Sequence, residues 1–129
     1  MPTTPEEQPF TSAAEEIKWL ERQLKTKKEA YQQTGETKED EWLGKEVLRE
    51  ASEIPESEIH EAYKLDDEAI QTHAHALAEE PHHKQIDGLI ESARASGILN
   101  AVRIARKLGA HLLDDFHDRV IADGLFPPK

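Results

Sequence analysis

Apolar residues recur at helical spacing along most of this chain, and the every-second-residue alternation of a strand appears nowhere. Ser12 followed by Glu15 is a capping-box pair, able to satisfy free amide groups at a helix start. From that point Ile17, Leu20, Leu24 and Tyr31 trace a narrow stripe, and Lys27 interrupts it where a heptad wants another apolar residue. Gly35 predicts the end of the helix. Thr37 with Asp40 predicts the next start, and Trp42, Leu43, Val47, Ala51 and Ile54 form its stripe until Pro55. Two stripes joined by a short link predict an antiparallel helical hairpin over residues 12–54. Residues 1–11, with Pro2, Pro5 and Pro9, read as a flexible tail, and residues 55–65, with Ile59, Ala62 and Tyr63, as a linker or a helix extension.

The remainder is richer in apolar side chains. Asp66 and Asp67 suit the positive end of a helix dipole, and Ile70, Ala74 and Leu77 line the face that follows, up to Pro81. Ile86, Leu89, Ile90 and Ala93 lead to Gly97. Ile98, Ala101, Val102, Ala105 and Leu108 lead to Gly109, and Leu112, Leu113, Phe116, Val120 and Ile121 lead to Gly124. Each glycine stands where a helix needs a left-handed residue to stop. The fold class is therefore all-α: a charged N-terminal helical hairpin plus a three- to four-helix bundle over residues 66–126. Its expected core is Ile86, Leu89, Ile90, Val102, Ala105, Leu108, Leu112, Leu113, Phe116 and Val120.

Composition divides the chain at the same place. Residues 86–129 hold 15 of the 27 Leu, Ile, Val and Phe side chains. Residues 1–85 carry 21 acidic and 10 basic groups, which is the whole net charge of −11. That asymmetry reads as a compact C-terminal module preceded by a thinly apolar, charged extension. The first helix is slightly basic, with Lys18, Arg22, Lys25, Lys27 and Lys28 against four glutamates, and the segment 36–61 is strongly acidic, which favours the hairpin. The chain has no cysteine, so disulfides, thiolate metal sites and cysteine nucleophiles are excluded. The segment MPTTPEEQPF lacks the basic and apolar regions of a secretory signal, and no apolar run approaches the roughly 18 residues of a membrane span. A cytoplasmic protein without membrane insertion is expected. The acidic balance disfavours phosphate backbones and anionic lipid as partners.

Four constellations could carry chemistry. His73, His75, His82 and His83 lie near Glu79 and Glu80, but His73 and His75 point apart on a helix and the second pair follows Pro81. With Ile70 and Leu77 on either side, His73 reads as an edge-of-core histidine, and no metal is assigned. Asp114, Asp115, His117 and Asp118 resemble an acid–base group, yet helix geometry alone produces that pairing, and neither Ser92 nor Ser96 has a nucleophile's context. His117 is read as structural, with no catalytic or cofactor-binding residues. The stretch IARKLGAHLLDDFHDRVIADGLF has the outline of a helix-turn-helix, with 111–123 as its recognition helix. That helix carries Asp114, Asp115, Asp118 and Asp123 against Arg119, so the alternative nucleic-acid contacts would be Arg103, Arg106 and Lys107 on the helix before it. Finally, the narrow stripes of the N-terminal helices need each other, a second copy or a protein partner to become stable.

The stretch GILNAVRIARKLGAHLLDDFHDRV is similar to an uncharacterised family of small helical proteins from candidate-phylum bacteria with reduced genomes. The likeness rests on Gly97, Ala101-Val102, Ala105-Arg106, Leu112-Leu113-Asp114 and Phe116-His117-Asp118, preceded by a charged helical hairpin and a linker. The resemblance implies a bacterial cytoplasmic accessory or adaptor protein, neighbouring ATPases like those of type IV secretion or conjugation. It implies no activity and no site residues. The family's long polar linker is short here, which leaves open whether the two halves pack together. The function expected is non-enzymatic protein–protein interaction, with self-association or a protein partner engaged through the N-terminal helices.

Overall fold

A computed structural model describes residues 10–128. Six α-helices and no strand occur among them: α1 (Ala13–Gln33), α2 (Asp40–Ser52), α3 (Asp67–Leu77), α4 (His82–Ser96), α5 (Ile98–Leu108) and α6 (His111–Ala122), with one 3₁₀ turn at Glu56–Glu58. The all-α expectation holds. α1 and α2 form the hairpin, tied across by Lys27–Glu50 at 2.7 Å and Lys28–Asp40 at 3.0 Å. Such exposed pairs contribute at most about 1 kcal/mol each, so they select the pairing more than they hold it.

Caps follow the sequence in part. The Glu15 amide donates to Ser12 Oγ at 3.2 Å, while the Glu15 carboxylate accepts from the amide and hydroxyl of Thr11. Asp66 caps α3 by accepting from the Ala69 amide at 2.7 Å. Thr37 caps nothing: α2 starts at Asp40, with Glu39 before it and no side-chain cap.

The two halves share one core, running from Phe10, Leu20, Val47 and Leu48 through Ile70 and Leu89 to Phe116, Val120 and Phe126. α1 reaches α4, and α2 packs on α5 and α6. The hairpin is thus a wall of the bundle, because Leu43, Val47, Leu48 and Ala51 supply apolar surface that the bundle helices need covered. The tail reading of residues 1–11 is corrected at its end. Phe10 is fully buried against Trp19 and Tyr63, with ring centroids 5.3 and 5.0 Å away. Residues 1–9 of that tail lie outside the described residues. The expected core is buried except Leu108 and Leu113, which are half-buried at its margin.

α5 is the central element, with every residue from Ile98 to Ala105 buried. A buried helix start leaves unpaired amides in an apolar interior, and each would cost about 1–3 kcal/mol unsatisfied. Here the partner comes from far away in sequence. Glu16, fully buried, accepts from the amides of Ile98 at 2.6 Å and Leu99 at 2.9 Å, and from the Tyr63 hydroxyl at 2.7 Å. The Tyr63 oxygen in turn accepts from the amides of Leu99 and Asn100. Gly97 precedes this junction at φ +110°, and a Cβ there would collide with the Tyr63 hydroxyl, so only glycine fits.

The segment left ambiguous by sequence, 55–65, is a loop fastened to α5. Asn100 donates to the carbonyls of Tyr63 at 3.0 Å and Ser96 at 2.8 Å, and accepts from the Leu65 amide at 3.0 Å. Arg103 donates to the Leu65 carbonyl, to Glu56 and to Asp67. Ile59 and Tyr63 fill the space beneath. Asn100→Ala removes three of these bonds and leaves buried groups unpaired, so it should destabilise the protein by roughly 2–3 kcal/mol, read as a lowered urea midpoint. An unchanged midpoint would show that the loop is held by its apolar contacts alone.

Candidate interaction surface and the placement of the polar groups

The structure separates the three basic residues of the nucleic-acid alternative. Arg103 is only 4% exposed and is spent on Glu56, Asp67 and the Leu65 carbonyl, so it offers nothing to a phosphate. Its place in that reading is corrected: it lies on the inner face of α5 and ties down the loop. Arg106 donates to the Ser52 carbonyl at the end of α2. Lys107 is exposed beside it, and the recess they line with Arg103 also holds Glu56 and Asp67, both already paired with Arg103.

The acid–base candidates are also split. His117 faces inward, 3% exposed, with Nε2 at 2.9 Å from Ser52 Oγ, and that hydroxyl donates to the Leu48 carbonyl. The Ser52 proton goes to the backbone, so the histidine presents Nε2–H to the serine oxygen. Burial pushes the imidazole down to about 4, against the opposing influence of Asp114. A neutral, enclosed ring bonded to a structural serine pins α6 to α2 and touches no open space. Asp114 and Asp118 point outward and share Lys45 of α2, at 3.3 and 2.7 Å. Asp115 turns away from His117 to meet His82 of α4 at 2.8 Å.

The histidine-rich stretch is dispersed. His73 and His75 are exposed on α3, and the edge-of-core reading of His73 is corrected, since Ile70 and Ala74 carry the buried side of that helix. His82 and His83 begin α4 on the surface.

One surface stands apart from these, and it is where the sequence reading of α2 fails. Trp42, assigned to the buried stripe, is 44% exposed and is the exposed large hydrophobic side chain among the described residues. It sits on the first turn of α2, opposite the last turns of α1, where Tyr31 meets it edge-on with ring centroids 5.8 Å apart. Lys38 lies 5.1 Å from its ring centre, a cation–π placement. Two recesses flank this aromatic pair. One, of about 420 Å³, is lined by Ala30, Tyr31, Thr34 and Glu36 at the hairpin turn. The other, of about 360 Å³, is lined by Glu41, Trp42, Lys45, Asp118, Ile121 and Ala122 between α2 and α6.

The hairpin tip projects for a physical reason. Of α1's residues only Glu16 and Leu20 are fully buried, both in its first half. Beyond Leu20 no residue of α1 is buried, and Leu24 and Tyr31 are only half-buried. The signal available in the sequence was the break at Lys27, which marks where the stripe stops serving the core.

No protein family, curated protein or solved structure matches this chain.

Glu16 and His117 are shifted in opposite senses. Burial raises the Glu16 carboxyl from 4.5 to about 7, against its hydrogen bonds from Tyr63, Leu99 and Ile98. The unfolded carboxyl therefore ionises first, and its contribution to stability is lost as pH rises across that window. His117, lowered from 6.5 to about 4, contributes stability that is lost as pH falls across its own window. The two contributions oppose each other in mildly acid solution. Urea midpoints at about pH 7 and about pH 5 should show Glu16→Gln losing more stability on acidification than the natural chain, and His117→Gln losing less. Identical pH slopes in all three proteins would refute both assignments.

Proposed function

We propose that this protein is a non-enzymatic protein-interaction module that engages its partner through the tip of the α1–α2 hairpin. The observation that carries this reading is Trp42, a large aromatic side chain held in the open by Tyr31 and Lys38 with a recess on either side. Tryptophan and tyrosine dominate binding hot spots because they bury much apolar area at low conformational cost. A tryptophan left half in water is a cost to the isolated chain that contact with a partner would recover. The rigid base of the hairpin, fastened to the bundle through Glu16, keeps that surface ordered before contact, which lowers the entropic cost of association.

The charges around Trp42 are mixed, with Lys38 and Lys45 beside Glu36, Glu41 and Asp118, and this suits a protein surface better than a phosphate backbone. In this proposal the protein works in the cytoplasm as an accessory or adaptor. The family resemblance drawn from its C-terminal stretch would place the partner in an ATPase-driven secretion machine.

The test is capture of partners by the tagged full chain from source lysate, with nuclease and a high-salt wash, alongside Trp42→Ala. Because Trp42 is half-exposed, the substitution should lower the melting temperature by only several degrees, through the lost Tyr31 contact, while abolishing capture of a discrete partner, or dissolving a self-associated species in sedimentation. Partners retained by Trp42→Ala, or lost to nuclease, would overturn the proposal.

A further inference from the structure

α4 and α6 lie side by side and run in the same direction. His82 meets Asp115 near their starts, and Asp87 meets Arg119 at 2.8 Å one turn further along both. This parallel placement brings His82, grouped by sequence with His83 and Glu80, to Asp115, grouped by sequence with His117, near His111, which the sequence did not single out. His111 and Asp115 stand four residues apart on α6 and therefore share one of its faces. His82 of α4 reaches that face with Nε2 at 2.8 Å from Asp115 Oδ2, and its ring lies nearly parallel to that of His111, 24° apart, with centroids separated by 6.3 Å. Two imidazoles and a carboxylate on adjoining helices have the chemistry to bind a borderline divalent ion, although the His111 ring lies against Gly109 and holds no nitrogen within 4.8 Å of both other ligand atoms.

We propose that His82, His111 and Asp115 form a transition-metal site of the zinc class that fastens the start of α4 to the start of α6. Nitrogen and oxygen ligands bind zinc at about 2.0–2.2 Å, so neighbouring ligand atoms around a tetrahedral ion stand roughly 3.3 Å apart. His82 Nε2 and Asp115 Oδ2 need to open by only about half an ångström to reach that spacing. His82 then turns its Nε2 lone pair to the ion and keeps its proton on Nδ1. His111 is exposed and must rotate about its side-chain bonds to bring a ring nitrogen inward, completing three protein ligands, with water as the fourth.

Charge supports this corner over its neighbour. Asp114, Asp115 and Asp118 also cluster on α6, but Lys45 already lies between Asp114 and Asp118 and would repel a second cation. Asp115 is the member free of that lysine. The positive dipole ends of α4 and α6 oppose a cation here, but that effect is weak at an exposed site and is set against direct coordination by an anionic oxygen and two nitrogens. Hard cations prefer all-oxygen ligands and gain little from two imidazoles, so magnesium should not compete.

The experiment is calorimetric titration of the tag-free full chain with zinc chloride, paired with thermal melting before and after a chelator. One ion per chain, a raised melting temperature reversed by the chelator, and indifference to excess magnesium are expected. His82→Ala, His111→Ala and Asp115→Asn should each weaken zinc binding by about tenfold or more. Since all three side chains are exposed, the metal-free variants should melt with the natural chain. Asp114→Asn and the double variant His73→Ala/His75→Ala should bind as the natural chain does. Absence of saturable binding, binding that survives His111→Ala, or binding lost in Asp114→Asn or the His73/His75 double variant would each overturn the site.

Discussion

The start of α5 lies in the middle of the protein, and its free amides have to be satisfied there without water. Glu16 and Tyr63 do this together, one from the first turn of α1 and the other from the loop before α3. A carboxylate at the positive end of a buried helix gains from the dipole and from three donors, while its own desolvation works against it. The rest of the arrangement follows from keeping that junction closed. Gly97 must be a glycine to admit the Tyr63 ring, Phe10 seals the far side of that ring, and the 55–65 loop must run where Tyr63 can reach. The same bonds anchor the base of the hairpin to the bundle, and so decide that the chain has one core.

A second set of polar contacts extends this scheme along α5 and α6. Asn100 and Arg103 hold the loop from the inner side of α5, and the Ser52–His117 pair joins α2 to α6. No buried side-chain nitrogen or oxygen among the described residues lacks a hydrogen-bond partner. Networks of this kind contribute modest net stability but strongly disfavour rival packings, because a misplaced helix would strand several polar groups at once. Both residues that looked most chemical in the sequence, Arg103 and His117, are used up in this way. What remains at the surface is the aromatic tip of the hairpin and the histidine–aspartate corner between α4 and α6.

The helical class, most helix ends and most of the C-terminal core were legible in the sequence, because periodicity, capping residues and glycine stops act over one or two turns, while the bundle was left at three or four helices. Ile86, Leu89, Val102, Leu112, Phe116 and Val120 are buried as their spacing requires. Trp42 was misread for an equally physical reason: stripe membership says which way a side chain points, and says nothing of whether another element is there to cover it. Glu16 was invisible as a core residue, since an acid in a helix's first turn is ordinarily a solvated one.

The sequence by itself determined an all-helical chain, the hairpin, and the inward faces of α3 to α6, since each depends on neighbours within a few residues. Tertiary structure alone decided that the hairpin and the bundle share a core, that Arg103 and His117 lie inside, and that Trp42 lies outside. It also decided which histidine stands beside which aspartate. Those outcomes depend on pairs 33 to 83 residues apart, such as His82 with Asp115 and Glu16 with Leu99, and local spacing carries no information at that range.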